Sequence, residues 1–91
     1  MSLKYSVSTL KKFEELYDEI GYMIRFEKGN FQSGYCILQD RRIVVINKFL
    51  PLEGRINALI DILPSIEVEV SKLSNEGHQF YEAAMAMPAN R

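Results

Sequence analysis

Apolar positions recur along the chain with two different periods, and the switches between those periods divide it into segments. Leu10, Phe13, Leu16, Tyr17 and Ile20 lie three and four apart, with Lys11, Lys12, Glu15, Asp18 and Glu19 on the opposite side. That spacing predicts an amphipathic helix over 8–20, capped by Ser8 and closed by Gly21, a residue able to take the left-handed conformation that follows many helices. From Tyr22 the period falls to two. Tyr22, Ile24 and Phe26 alternate with Met23, Arg25 and Glu27, as in a strand with one buried face. Lys28-Gly29-Asn30 is turn chemistry, and a second strand follows at about 33–39, with Tyr35, Ile37 and Gln39 on one face and Cys36 and Leu38 on the other. After Asp40-Arg41, the run from Ile43 to Ile46 is β-branched throughout and suits a central strand buried on both faces. The short connections predict an antiparallel meander, because parallel neighbours need a crossover of about a dozen residues or more.

Pro51 fits the first turn of a second helix, where its missing N–H costs nothing. Leu52, Ile56, Leu59, Ile60 and Leu63 form its apolar face, and Pro64 stops simple continuation. Beyond Pro64 two patterns compete. Ile66 to Val70 alternates with period two, as in a short edge strand, whereas 66, 70, 73, 77, 80, 84 and 87 fit one continuous helix. Gly77 and the β-branched residues weigh against the continuous helix. The preferred reading has a break, with Leu73 as hydrophobic staple and Ser74 as cap of a last helix over 75–86. The expected fold is α+β: an N-terminal helix, a three-stranded antiparallel meander and two C-terminal helices, with a short edge strand near 66–70. Residues 1–91 form a single domain and the tail from Pro88 frays.

Composition narrows the chemistry. With 91 residues, 47% of them hydrophobic and 25% charged, the chain has the profile of a globular domain rather than a disordered or fibrous one. One Cys forms no intrachain disulfide, and one His builds no multi-histidine metal site. No apolar run reaches the roughly 20 residues of a membrane helix. The first 24 residues lack the apolar core of a secretory signal, and a lone Cys36 suits a reducing compartment, so the expected location is the cytoplasm. Ordering so short a chain costs on the order of 130 kcal/mol at about 1.5 kcal/mol per residue. Self-association, most simply a homodimer, is a common remedy.

The candidate reactive groups read more simply as structure. His78 sits on a helix surface without a second ligand nearby, and Cys36 between Tyr35 and Ile37 reads as packing. Glu53 and Asp61 are eight residues apart on one helix, about 12 Å along its axis, beyond the separation of paired glycosidase carboxylates. Charge is uneven: residues 25–55 hold six bases against three acids, and residues 56–91 hold two bases against five acids. Basic and acidic regions can complement each other within the monomer or between protomers. A nucleic-acid footprint normally carries a strong basic excess, which the net charge of -1 does not supply.

The stretch IRFEKGNFQSGYCILQDRRIVVINKFLPLEGRINALIDIL resembles the core of the ImmA/IrrE family of zinc-peptidase-like proteins. The likeness rests on Arg25, the Ser33-Gly34 pair, the strand end Val45-Ile46-Asn47, a proline-containing loop and Arg55 entering the helix, and covers about residues 23–63. It implies a helix and a three-stranded sheet ahead of a helix that carries H-E-x-x-H in the family. Counted from Arg55, that motif falls on Ile60, Asp61, Ile62, Leu63 and Pro64, so neither zinc histidine is present and Asp61 stands for the glutamate. Catalytic zinc ordinarily needs three protein ligands. The resemblance therefore implies a shortened, metal-free version of the scaffold.

The function expected from these residues is a non-catalytic protein-interaction or regulatory module, with no catalytic or metal residues and no cofactor. Its partner would be another protein or a second copy rather than a membrane, adding to a sheet edge or docking on Phe31, Phe49 and Leu50; a third, less favoured class is a weak nucleic-acid binder with a basic sheet edge and Tyr22, Phe26 and Tyr35 as stacking surfaces. The competing class is a small-ligand binder or hydrolase using Asp61 or Glu53 with Asn47, Arg55 and Tyr35 near the end of the sheet.

Overall fold

A computed structural model describes residues 3–38 and 40–87. The 88–91 tail and Gln39, which the pattern assigns to the second strand, lie outside the described residues. The architecture is α+β: α1 (Val7–Ile20), β1 (Met23–Glu27), β2 (Gly34–Leu38), β3 (Arg41–Asn47), α2 (Leu52–Ile62) and α3 (Asn75–Met85). Single 3₁₀ turns occupy Leu63–Ser65 and Val70–Lys72.

Helix α1 starts earlier than its apolar spacing suggests, and its cap is Ser6, not Ser8. The Ser6 hydroxyl accepts from the Thr9 N–H at 3.2 Å, and the Ser6 backbone is extended. Both serines have the right chemistry; Ser6 is the one whose hydroxyl also donates to the Thr9 hydroxyl, at 3.1 Å. At the other end Gly21, with φ of 98°, donates to the Tyr17 and Asp18 carbonyls and turns the chain into β1. A left-handed residue is required there, and glycine takes it without a Cβ clash.

The sheet is mixed and its order is β1-β3-β2, which corrects the antiparallel meander. β1 lies parallel to β3, with Met23 beside Ile43 and Glu27 beside Asn47. β2 lies antiparallel to β3, with Cys36 opposite Ile43 and Leu38 opposite Arg41. Two constraints account for the order. The β-branched strand gains most by being flanked on both edges. The parallel pair also has the crossover it needs, because residues 28–40, β2 among them, make that connection. The reversal from β2 to β3 turns at Asp40, whose φ of 68° is a left-handed value that aspartate tolerates.

Helices cover one face of this sheet. Val44 and Ile46 have no exposure and join Phe13, Leu16, Tyr17, Ile56, Leu59 and Leu63 in one core. Tyr22 is buried with them, and Ile24 and Phe26 pack alongside. The opposite face carries Met23, 58% exposed, and Cys36, also exposed, so the packing role read for this cysteine is corrected: it lies outside the core. Tyr35 and Ile37 sit on the helix side of β2 yet stay 44% and 61% exposed, although α2 approaches that strand.

Two long-range contacts tie the helices together. The Tyr17 hydroxyl donates to the Leu59 carbonyl at 2.6 Å, and the same oxygen accepts from the Leu63 N–H. Burial, with the Tyr22 phenol adding to it, pushes the Tyr17 phenol far above its ordinary range. On the opposite side, Glu19 in the last turn of α1 reaches the start of α3. Its carboxylate accepts from the Ser74 N–H at 2.8 Å and from the Ser74 hydroxyl at 2.9 Å, while that hydroxyl caps the Gly77 N–H. A negative charge is unfavourable at a helix C-terminus and favourable at an N-terminus; here one carboxylate serves the second position from the first. Phe13 and Phe80 meet edge to face at 4.8 Å behind it.

Ser74 is thus the cap of the last helix, as the pattern implies, and Leu73 packs on the core. The edge strand expected at 66–70 does not form. Ile66 is buried and Val68 half-buried as core anchors of an irregular segment, while Glu67 and Glu69 face solvent. Period two arises there without pairing, since an extended connector also points alternate side chains inward. The same break rules out one helix through 64–87.

Replacing Tyr17 with Phe removes a buried donor and should lower stability by about 1–2 kcal/mol in urea at neutral pH. The folded phenol loses its proton less readily than the unfolded one, so its contribution is whole below pH about 10 and is lost as pH rises further. The variant should lack that part of the alkaline decline; an identical decline in both proteins contradicts the assignment. Glu19→Ala should cost about 1 kcal/mol and speed hydrogen exchange in the first turn of α3.

Candidate functional site

The residues singled out at the end of the sheet divide into two sets. Asn47, the last residue of β3, is a clamp. Its side-chain amide donates to the Gly29 and Phe31 carbonyls, both at 2.9 Å, and its side-chain oxygen accepts from the Phe49 N–H at 3.0 Å. Its backbone N–H donates to the Ser33 hydroxyl at 2.9 Å. Only a carboxamide offers donors and acceptor together in this shape. The clamp holds loop 28–33 where it must pass the end of β3 to start β2. Arg55 has a matching role on the next connection. Its guanidinium donates to the Lys48 and Leu50 carbonyls, both at 2.9 Å, and lies 5.8 Å from the centre of the Phe26 ring. Both side chains therefore hold the main chain of these loops in place.

Between these loops and α2 is an open cleft of about 350 Å³, lined among others by Phe31, Ser33, Asn47, Asn57 and Asp61. It brings together four of the expected residues, Phe31, Asn47, Leu50 and Asp61, and leaves out Arg55, Tyr35, Phe49 and Glu53. Asn57 was not anticipated: it is buried, and its side-chain oxygen accepts from the Tyr5 hydroxyl at 2.6 Å. The only sequence sign of it is a polar residue one step from Ile56 on the apolar side of α2. Phe31 packs over Gly29, where a Cβ would come within 2.8 Å of the ring. Phe49 projects from the β3–α2 loop with 69% exposure. Ile60, Ile62 and Leu63, which fall where a zinc motif would lie, are buried in the core.

His78 is an exposed helix residue paired with Glu82 at 2.8 Å. No group of three His, Cys, Asp or Glu side chains comes together among the described residues. No described helix is long and apolar enough to cross a membrane. A wider groove of about 630 Å³ separates α1 from α3 and contains none of the expected site residues.

The second region is the free edge of β2. The bond from the Lys48 N–H to the Glu27 carbonyl, at 2.8 Å, fixes the phase of the parallel ladder. Even-numbered residues of β3 then bond to β1 and odd-numbered ones to β2, as the Asn47 N–H does toward Ser33. In the antiparallel register, Gly34, Cys36 and Leu38 turn their main-chain groups inward to β3. Tyr35 and Ile37 turn theirs outward. Residues 33–39 contain no charged residue and no proline, the usual protections of an edge strand. β1, the other edge, carries Arg25 and Glu27, 3.6 Å apart.

Compared with protein-family models, with curated proteins and with solved structures, the chain matches none.

Asn47→Asp keeps the acceptor and loses two donated bonds, so it should reduce stability by about 2 kcal/mol in urea titration. A residue held only for ligand contact would change stability by no more than about 0.5 kcal/mol.

Proposed function

We propose that this chain is a non-catalytic interaction module that binds protein by strand addition at the β2 edge. One observation carries the reading: Tyr35 and Ile37 present both outward main-chain groups, with no strand beside them among the described residues, and exposed apolar side chains along one uncharged strand. Strand addition uses these two features together, main-chain bonds for affinity and alternate side chains for specificity. Phe31 and Phe49 extend the apolar surface on the neighbouring loops. The resemblance to the ImmA/IrrE scaffold fits this reading as a metal-free relative whose motif helix serves packing through Ile60 and Leu63. A reducing compartment such as the cytoplasm suits the exposed thiol of Cys36.

The cleft beside Asp61 favours a second reading, a small-ligand site, because it gathers Asn57 and Asp61 with the Phe31 ring. Native mass spectrometry on protein purified gently from its own cells separates the two. The interaction module predicts an added protein mass that Ile37→Lys removes while the fold is retained by circular dichroism. A retained small molecule that survives Ile37→Lys and is lost with Asp61→Ala would replace this proposal with the ligand site.

A further inference from the structure

We infer that the groove between α1 and α3 docks an amphipathic helix of a partner protein, antiparallel to α1, with bases in its N-terminal half and acids in its C-terminal half. The inference goes beyond the strand-addition reading and uses a different surface.

The two helices run antiparallel, since Glu19 at the end of α1 meets Ser74 at the start of α3 and Phe13 meets Phe80. The groove of about 630 Å³ opens between two stripes that repeat at helical spacing: Ser8, Lys12, Glu15 and Glu19 on α1, and Glu76, Gln79 and Ala83 on α3. Its floor is apolar. Leu16 is 1% exposed, and Leu3 and Phe80 are half-buried. A third helix packs well on such a pair, because side chains three and four apart form ridges that seat in a groove of the same period. From Ser8 to Glu19 α1 rises about 16 Å at about 1.5 Å per residue, the length of a three-turn helix.

Charge fixes the chemistry of the occupant. Lys4 and Lys12 stand at one end of the groove, and Glu15, Glu19 and Glu76 at the other. That order is costly for the helix that carries it. α1 has no acid in its first turn and no base in its last, and Lys11 and Lys12 precede Glu14, Glu15, Asp18 and Glu19. Both halves are charged against the helix dipole, which favours acids at the start and bases at the end. The α3 cap accounts for Glu19. Among the described residues Lys4, Lys12, Glu15 and Glu76 enter no ion pair, although Lys12 and Glu15 have a spacing at which opposite charges can meet. All four line the groove. An occupant with bases over the three acids and acids over the two lysines satisfies both ends. Its own dipole selects the direction: a positive N-terminus beside Glu15, Glu19 and Glu76 and a negative C-terminus beside Lys4 and Lys12 run antiparallel to α1. A second copy fits less well, because a two-fold pairing sets groove against groove and leaves both floors unfilled.

The full-length chain can be titrated with two stapled helical peptides of about three turns, each with a leucine face at three- and four-residue spacing. One carries lysines in its first half and glutamates in its second; the other reverses that order. The first should bind about fivefold more tightly, the combined effect of a few exposed ion pairs. That preference should fade in about 1 M salt, where the screening length is about 3 Å. Amide resonances of Lys12, Glu15, Gln79 and Ala83 should shift, and those of Tyr35 and Ile37 should not. Exchanging two charges, Lys12→Glu with Glu15→Lys, should reduce the preference to about twofold or less while the fold is retained, since the exchange brings α1 closer to its dipole. Ala83→Arg should block both peptides. No shift of the groove residues with either peptide at millimolar concentration overturns the proposal, as do equal affinities that the exchange leaves unchanged. Shifts centred on Tyr35 and Ile37 overturn it while leaving strand addition in place. Groove shifts on concentrating the chain alone, with a dimer by sedimentation, overturn it in favour of a second copy.

Discussion

Four consecutive β-branched residues, Ile43 to Ile46, need a neighbour on each edge, and much of the molecule is arranged around that need. β1 alone supplies one edge. The other must come from a strand that has already passed the end of β3, so loop 28–33 is carried across and fastened there by the Asn47 carboxamide. β2 then returns antiparallel, and the chain enters β3 through the left-handed turn at Asp40. The helices follow: α1 lies over β1 and α2 over β3 and part of β2, which buries one face and leaves Tyr35 and Ile37 exposed at its margin. The exposed edge is a consequence of centring the most apolar strand.

The same constraint explains why polar residues at the sheet end need not be a reaction centre. Two connections converge there, loop 28–33 and the link from β3 to α2, and each exposes carbonyls that secondary structure does not satisfy. Asn47 serves those carbonyls through its side-chain amide nitrogen and Arg55 through two of its guanidinium nitrogens. A conspicuous Asn or Arg at the junction of strand, loop and helix has the residue chemistry of a ligand site and of a loop clamp alike, and only the positions of the acceptors decide between them.

The parts of the fold set by local spacing were legible in the sequence: α1, the alternation of β1, the apolar β3, α2 behind Pro51 and α3 behind Ser74. Topology was not. The period of two places side chains on faces but says nothing about which strand is adjacent, and the rule of short connections misled because β2 itself serves as part of the crossover. Residues 66–70 failed for a related reason, since Ile66 and Val68 point inward from an extended connector that has no strand to pair with. Of the expected site, Phe31, Asn47, Leu50 and Asp61 come together, while Tyr35 belongs to a different edge. The outward main-chain groups of β2 could not be read at all without the phase of the ladder.

Helix α3 is held differently from the rest. It packs chiefly on α1, through the Phe13–Phe80 contact and the single carboxylate of Glu19 at its cap, and only Gly77 and Ala84 within it are buried. A unit with so few buried attachments is the one whose local opening requires least free energy. Such an opening would uncover Phe13, otherwise wholly enclosed, while leaving the sheet and α2 in register. Loosening α3 would therefore bare the α1 surface that Phe80 covers at far smaller cost than disturbing β3, whose Val44 and Ile46 are wholly enclosed.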